Sequence, residues 1–181
     1  MKRRLFEERN FNVTGKVVPY QSFKLFIDKP EGFSICEEHR EKIISTAEEW
    51  LEYEFPVILA TDYMMFKRNG DRTVYGGKYG KRRQAVMALA LAEYFERQGR
   101  FTDKLIDVIW MTLEETTWVA SAHNPSKEGV NTCLPYAYSG KVDYIDLFSA
   151  TIAATLSFVY YLCGDILDSV TTIINERILY E

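Results

Sequence analysis

Histidine and cysteine are scarce in this chain of 181 residues, which holds two of the first and three of the second. His39 and His123 lie far apart, and Cys36, Cys133 and Cys163 are separated by long intervals without metal-ligand spacing. Neither a metal centre nor a disulfide framework is therefore expected, and no cofactor motif is present. The cysteines read as buried or free thiols of a reducing compartment. A basic surplus is missing too. The 22 Lys and Arg are outnumbered by 26 Asp and Glu, giving a net charge of -4. With its basic residues scattered, the chain lacks the electrostatic footprint of a nucleic-acid binder. Met1-Lys2-Arg3-Arg4-Leu5-Phe6-Glu7-Glu8 has no apolar run behind its basic residues, so it is not a secretory leader, and a cytoplasmic location is expected.

Strand alternation is also nearly absent. What is present is apolar residues at helical spacing, in a chain that is 47% hydrophobic and 14% aromatic, enough to bury a core. The expected fold is all-α, a single domain of antiparallel helical hairpins over residues 38–181 behind a poorly patterned segment 1–37. The pattern predicts helices from Glu37 through Leu51, over 57–69, from Lys81 to Gln98, and from Thr102 to about Trp118. Asn69-Gly70-Asp71 reads as a turn, Tyr75 to Gly80 as a loop, Gly99 as a C-cap and Thr102 as an N-cap. Residues 121–142 read as one long polar loop. Asp143 or Asp146 is expected to open the next helix and Gly164 to close it, with Leu167, Val170, Ile174 and Ile178 marking a last one. Leu147 to Cys163 carries no formal charge. Its Ser149, Thr151, Thr155 and Ser157, and the flanking Asp146 and Asp165, favour a central buried helix over a membrane span. The last helix shows no C-cap before Glu181, which predicts a fold that continues.

Several residues could carry chemistry. His123-Asn124 follows Trp118 and opens the long loop. A neutral histidine exchanges protons near neutrality, an asparagine bonds sugar hydroxyls or carboxylates, and tryptophan stacks on a sugar face. The same His and Asn could instead satisfy buried backbone groups. Glu114 and Glu115, read as neighbours on a helix, point about 100° apart and do not form an acid/base pair across one bond. Glu115 could line a cleft or act as a cap. Arg82 and Arg83 at an expected helix start oppose the helix dipole, which suits either an internal carboxylate or an acidic sugar. Tyr79 and Tyr75 could line the same cleft or belong to the core. Gly76-Gly77-Lys78-Tyr79-Gly80-Lys81 is not a phosphate loop, because the glycine spacing is wrong and Arg82 stands where Ser or Thr is needed.

From Ile58 to Asn124 the chain resembles the heparinase II/III-like polysaccharide lyases. The resemblance rests on Leu59-Ala60-Thr61-Asp62-Tyr63-Met64-Met65-Phe66, Arg68-Asn69-Gly70-Asp71-Arg72, Tyr75, Tyr79, Arg82-Arg83, Leu91-Ala92-Glu93, Gly99-Arg100-Phe101, and Glu114-Glu115-Thr116-Thr117-Trp118 leading to Ala122-His123-Asn124. Asp146-Leu147-Phe148-Ser149-Ala150 and Leu167-Asp168 extend it. Departures include Gly76 where the family usually has Glu, Gly80 where an aromatic is common, and Ser121 where Pro is usual. The resemblance implies an (α/α) toroid followed by a β-sandwich, and β-elimination on uronic-acid polysaccharides. It implies that the catalytic groups come from later helices and the β domain, so no catalytic residue is assigned to this chain and by itself it should be inactive. Trp118, His123, Asn124, Glu115, Arg82 and Tyr79 are the expected substrate-binding residues. The expected partner is an acidic polysaccharide or oligosaccharide, with no nucleic acid and no membrane. Apolar flanks of an incomplete toroid would favour a homo-oligomer. The contrasting possibility is a helical binding or assembly module without catalysis.

Overall fold

The computed structural model describes residues 35–124, 134 and 145–180. They form six α-helices and one 3-10 turn, with no strand among them: α1 Glu37–Leu51, α2 Ala60–Asn69, α3 Thr73–Glu96, α4 Thr102–Leu113, the turn Ser121–His123, α5 Leu147–Val170 and α6 Thr172–Tyr180. The all-α expectation holds. The expected features at Cys133, Asp143 and most of the 121–142 loop fall outside the described residues, as does nearly all of the 1–37 segment.

Helix α3 is the centre of the packing and touches α1, α2, α4 and α5. The cross-helix contacts give the directions. Arg40 of α1 donates to the Phe95 carbonyl while Lys81 lies over the Trp50 ring, so α1 and α3 run antiparallel. Glu93 meets Phe101 at one end of the α3–α4 pair, and Arg82 meets Met111 and Glu115 at the other, so these two are an antiparallel hairpin. Tyr79 meets Phe148, Ala90 meets Cys163 and Arg97 meets Asp165, so α5 runs parallel to α3. Helix α6 folds back on α5, where Asn175 Nδ2 donates to the Gly164 carbonyl and to Asp168 at 2.8 Å each, and reaches α4 through Arg177. Ala85, Val86, Leu89, Leu105, Val108, Ile109, Ile152, Leu156, Val159 and Leu167 fill the space between these helices. The buried Cys163 thiol donates to the Ala90 carbonyl at 3.2 Å and is pushed up to about 12, first by burial and then by Glu93 and Asp165. Cys36 is free and exposed.

Several boundaries differ from the sequence reading. Helix α3 begins at Thr73, not Lys81, so the glycine-rich stretch is helical. Asp71 caps this start, accepting the Thr73 N–H at 2.6 Å and the Thr73 hydroxyl at 2.7 Å. Each helical glycine costs up to about 1 kcal/mol. Tyr75 and Tyr79, four apart on the buried face, offset this by packing on each other and on Tyr63 of α2. Arg82 and Arg83 consequently sit in the third turn, where the argument from the dipole does not apply. Helix α4 stops at Leu113, so Glu114 and Glu115 follow the helix instead of lying on it. Arg97 with φ 51° takes the left-handed position that ends α3, and Gly99 with φ 78° turns the chain two residues later. Thr102 is the first residue of α4 and makes no side-chain cap. Gly164 lies inside α5, which ends at Val170, so Leu167 and Val170 belong to α5 and not to the last helix.

Helix α5 is the one described helix whose length and composition would let it cross a membrane. Ile152, Leu156, Val159, Leu162, Cys163 and Leu167 bury one stripe in the core. The opposite side is exposed, with Leu147 at 78% and Phe158 at 36%. It is therefore a half-buried helix and not the central buried one its composition suggests; α3 holds that place.

Candidate functional site

Asp146 is the junction on which the first part of the site depends. As the N-cap of α5 it accepts the Ser149 N–H through Oδ1 at 2.8 Å, and Ser149 Oγ accepts the Asp146 N–H at 2.8 Å. The other oxygen, Oδ2, accepts the Ala120 N–H at 3.0 Å and faces His123 Nδ1 at 2.8 Å. Burial pushes this carboxyl up, but the hydrogen bonds from Ser149, Ala120 and His123 outweigh burial and hold it below the usual carboxylate range. In a neutral ring the proton sits on Nδ1, toward Asp146, which leaves Nε2 as an acceptor. The His123 side chain is 36% exposed, whereas that of Asp146 is 3% exposed. His123 packs on Phe148 at 5.5 Å between ring centroids, and Phe148 meets Tyr79 edge-on at 5.9 Å. The result is a partly exposed row of rings, Tyr79–Phe148–His123, with a fixed imidazole at one end.

Acid should weaken this junction. Because the folded Asp146 carboxyl titrates below an unfolded one, its contribution is complete above about pH 3.9 and is lost as the pH falls through the lower folded value. An Asp146→Asn variant keeps a capping side chain without this titration. Its urea midpoint should fall less than that of the parent protein between about pH 5 and pH 2. Equal slopes would assign the acid sensitivity to other carboxylates.

The second part of the site is a cavity of about 640 Å³ between the start of α2, the first half of α3 and the end of α4. Val57, Ile58, Leu59, Tyr63, Tyr75, Trp110 and Met111 form part of its wall, with Arg82, Glu114, Glu115, Thr116 and Thr117 also among its lining residues. Arg82 Nη1 donates to the Met111 carbonyl at 3.1 Å and to Glu115 Oε1 at 3.3 Å, and Nη2 donates to the Pro56 carbonyl at 3.3 Å. Arg83 reaches Glu115 Oε2 at 3.3 Å and the Tyr79 carbonyl at 3.3 Å while its guanidinium lies 4.2 Å from the Tyr79 ring centroid. One buried carboxylate thus bridges a buried guanidinium, that of Arg82, and a partly buried one, that of Arg83. Burial pushes the Glu115 carboxyl up, and Arg83 and Arg82 pull against it without cancelling it. Burial likewise raises the Tyr63 and Tyr75 hydroxyls, so both remain protonated donors. On the rim, Arg177 pairs with Glu114 and lies over the Trp110 ring at 4.7 Å.

Four of the six expected site residues are divided between these parts, and Trp118 and Asn124 belong to neither. Arg82 and Glu115 are at the cavity, with the internal salt bridge that the sequence reading allowed. Tyr79 and His123 are in the row of rings. Trp118 turns inward, donating its Nε1–H to the Thr112 carbonyl at 2.9 Å and packing on the core. Asn124 is buried and donates to the Leu134 carbonyl at 3.3 Å. Asp146, Phe148, Tyr63 and Trp110 are additions from the structure. The Asp146-x-x-Ser149 spacing signals the cap, but nothing in the sequence ties Asp146 to a histidine 23 residues earlier. Among the described residues no group of three His, Cys, Asp or Glu side chains could hold a metal ion. No family model matches the chain, and no curated protein matches it.

Proposed function

We propose that this chain is the N-terminal helical portion of a heparinase II/III-like lyase, and that it contributes a wall of the cleft in which an acidic polysaccharide is held for β-elimination. The observation that carries the reading is the Tyr79–Phe148–His123 row, in which Asp146 holds Nδ1 of the partly exposed imidazole and leaves Nε2 as an acceptor. A pyranose presents a flat C–H face and a hydroxyl edge. The first stacks on Phe148, and the second donates to Nε2. The up-down order of α3, α4 and α5 is also the order that hairpins of an (α/α) toroid repeat, which supports the same family. Elimination needs a group that neutralises the uronate carboxylate and another that moves the C5 proton. The resemblance assigns both to parts of the fold outside this chain, so the role here is to bind and orient.

Affinity electrophoresis of the 181-residue protein through gels containing alginate, hyaluronan or heparan sulfate tests this. Retardation by an acidic polysaccharide and not by a neutral one is expected, without the ultraviolet absorbance of an unsaturated product. His123→Ala and Phe148→Ala should each weaken retardation by about fivefold, the loss of one polar contact or one stacking face. Equal mobility in every gel would overturn the reading. Product formation abolished by His123→Ala would make this chain a complete enzyme.

A further inference from the structure

Helix α5 gives only one of its faces to the core. On the other, Leu147, Ala150, Thr151, Ala154, Phe158 and Tyr161 recur at three- and four-residue spacing and so share one side. Leu147, Ala150, Thr151, Ala154 and Phe158 are exposed, and Tyr161 is half-buried. Over these four turns, about 22 Å of helix, the face carries no charge. Its hydroxyls are already satisfied. Thr151 donates to the Leu147 carbonyl at 2.7 Å, and Ser157 donates to the Ala153 carbonyl at 2.8 Å. Covering these two side chains leaves neither donor without a partner.

The charges beside the face decide what covers it. A helix that lies on a lipid surface carries Lys or Arg next to its apolar side. Here no Lys or Arg stands between Lys141 and Arg177, whereas Asp146, Asp165 and Asp168 do. A second copy of the helix fits these charges in one orientation. Asp165 and Asp168 continue the exposed face one and two turns beyond Tyr161. Two parallel copies would set each of these carboxylates against its own like. Two antiparallel copies, related by a two-fold axis at Ala154, place them at opposite ends of the contact. The same axis sets large side chains against small ones. Phe158 of one copy meets Ala150 of the other, Leu147 meets Tyr161, and Ala154 meets itself, so the helices can approach closely at the centre. A face that is its own complement when inverted is what a two-fold interface requires.

We propose that the outer face of α5 is a homodimer interface, in which two copies of α5 pack antiparallel about Ala154. A strip about 22 Å long and about 10 Å wide is less than the roughly 800 Å² per partner of a standard interface, so the dimer is weak, with a micromolar dissociation constant. The interface does not depend on the sugar-binding reading. Phe148 points about 100° round the helix from Leu147, which leaves the row of rings open in the dimer.

Sedimentation equilibrium of the 181-residue protein between about 1 and about 500 µM should show the mean mass rising from 21.1 kDa toward twice that value. Ala154→Glu brings two carboxylates together at the axis and should weaken association at least about tenfold. The position is exposed and glutamate suits a helix, so the urea midpoint of the monomer should not change. Ala150→Lys and Phe158→Glu should each weaken the dimer. Combined in one chain, they set opposite charges across both contacts and should associate more tightly than Phe158→Glu alone. In a parallel pair the combination would set like charges together, so weaker association than Phe158→Glu would overturn the antiparallel dimer. A monomer at every concentration, or a dimer that Ala154→Glu leaves intact, would overturn the proposal as a whole. A monomer that floats with phosphatidylcholine vesicles would give the face to lipid instead, and one that Ala154→Glu destabilises would mean that the chain covers this face itself.

Discussion

Replacing Glu115 by alanine is expected to destabilise the protein by about 3–5 kcal/mol, because it strands the buried Arg82 guanidinium and the partly buried one of Arg83 on one side of the cavity. Neither arginine can turn to water easily. Arg82 is also tied to the Met111 and Pro56 carbonyls, and Arg83 to the Tyr79 carbonyl and ring. The loss therefore measures an uncompensated buried charge and not the worth of the ion pairs. Burial raises the Glu115 carboxyl in spite of two adjacent cations, which means that desolvation outweighs their attraction. The same balance predicts that replacing all three charges together, Arg82→Met, Arg83→Met and Glu115→Leu, costs far less than Glu115→Ala alone. Urea unfolding of the two variants separates these expectations. If the triple variant is as unstable as the single one, the cluster supplies net stability. If Glu115→Ala costs under about 1 kcal/mol, the guanidiniums have found water or other partners.

The all-helical character was legible because each helix carries a periodic apolar face. Ala47 with Ile43, Ile44 and Trp50 around it, and Ile109 with Leu113, sit where the spacing put them, whereas Trp110, which the spacing put beside Ile109, is 45% exposed and Leu105 is buried instead. The start of α3 was not legible, because three glycines and two tyrosines look like a loop when read locally. Only the pairing of Tyr75 and Tyr79 with Tyr63, twelve or more residues away, makes a helix the lower-energy choice. That misplacement moved Arg82 and Arg83 from a third turn to a helix start and gave their charge the wrong explanation. The end of α4 failed for a related reason. Glu114 and Glu115 continue a helical pattern, but the backbone leaves the helix at Leu113, where Arg177 of α6 donates to the Leu113 carbonyl and pairs with Glu114. Of the candidate site, the residue types at 82, 115 and 123 were readable as unusual. Their partners were not, since Asp146 meets His123, and Arg82 meets Glu115, only through tertiary packing. Thr102 and Gly99 looked like the caps of the α3–α4 turn because their residue types suit it, yet Thr102 makes no side-chain cap, and Gly99, which turns the chain, has no side chain with which to hold the turn.

Glu93 does, and removing it is the second large effect expected. This side chain is 1% exposed, and its two oxygens accept the Gly99 N–H at 2.7 Å and the Phe101 N–H at 3.0 Å. Its own carbonyl accepts the Arg97 N–H at 2.7 Å, so one residue of α3 fixes three successive steps of the turn into α4. Glu93→Ala would leave two backbone donors without a partner, at least one of them buried, and open a gap beside the fully buried Phe101. At about 1–3 kcal/mol for each buried donor left unsatisfied, a loss of about 2–5 kcal/mol follows. Glu93→Gln retains one carbonyl oxygen and opposes an amide group to the second donor, so it should fall between alanine and the parent protein. Hydrogen exchange gives the more specific readout. The Gly99 and Phe101 amides should both lose protection in Glu93→Ala and one of them in Glu93→Gln, whereas the Leu105 amide, bonded to the Phe101 carbonyl at 2.9 Å, should follow global stability alone. Uniform loss across the hairpin would mean that Glu93 contributes only to the core. Selective loss at the turn would mean that a buried carboxylate sets the register of α3 on α4, and with it the position of Arg82 opposite Glu115.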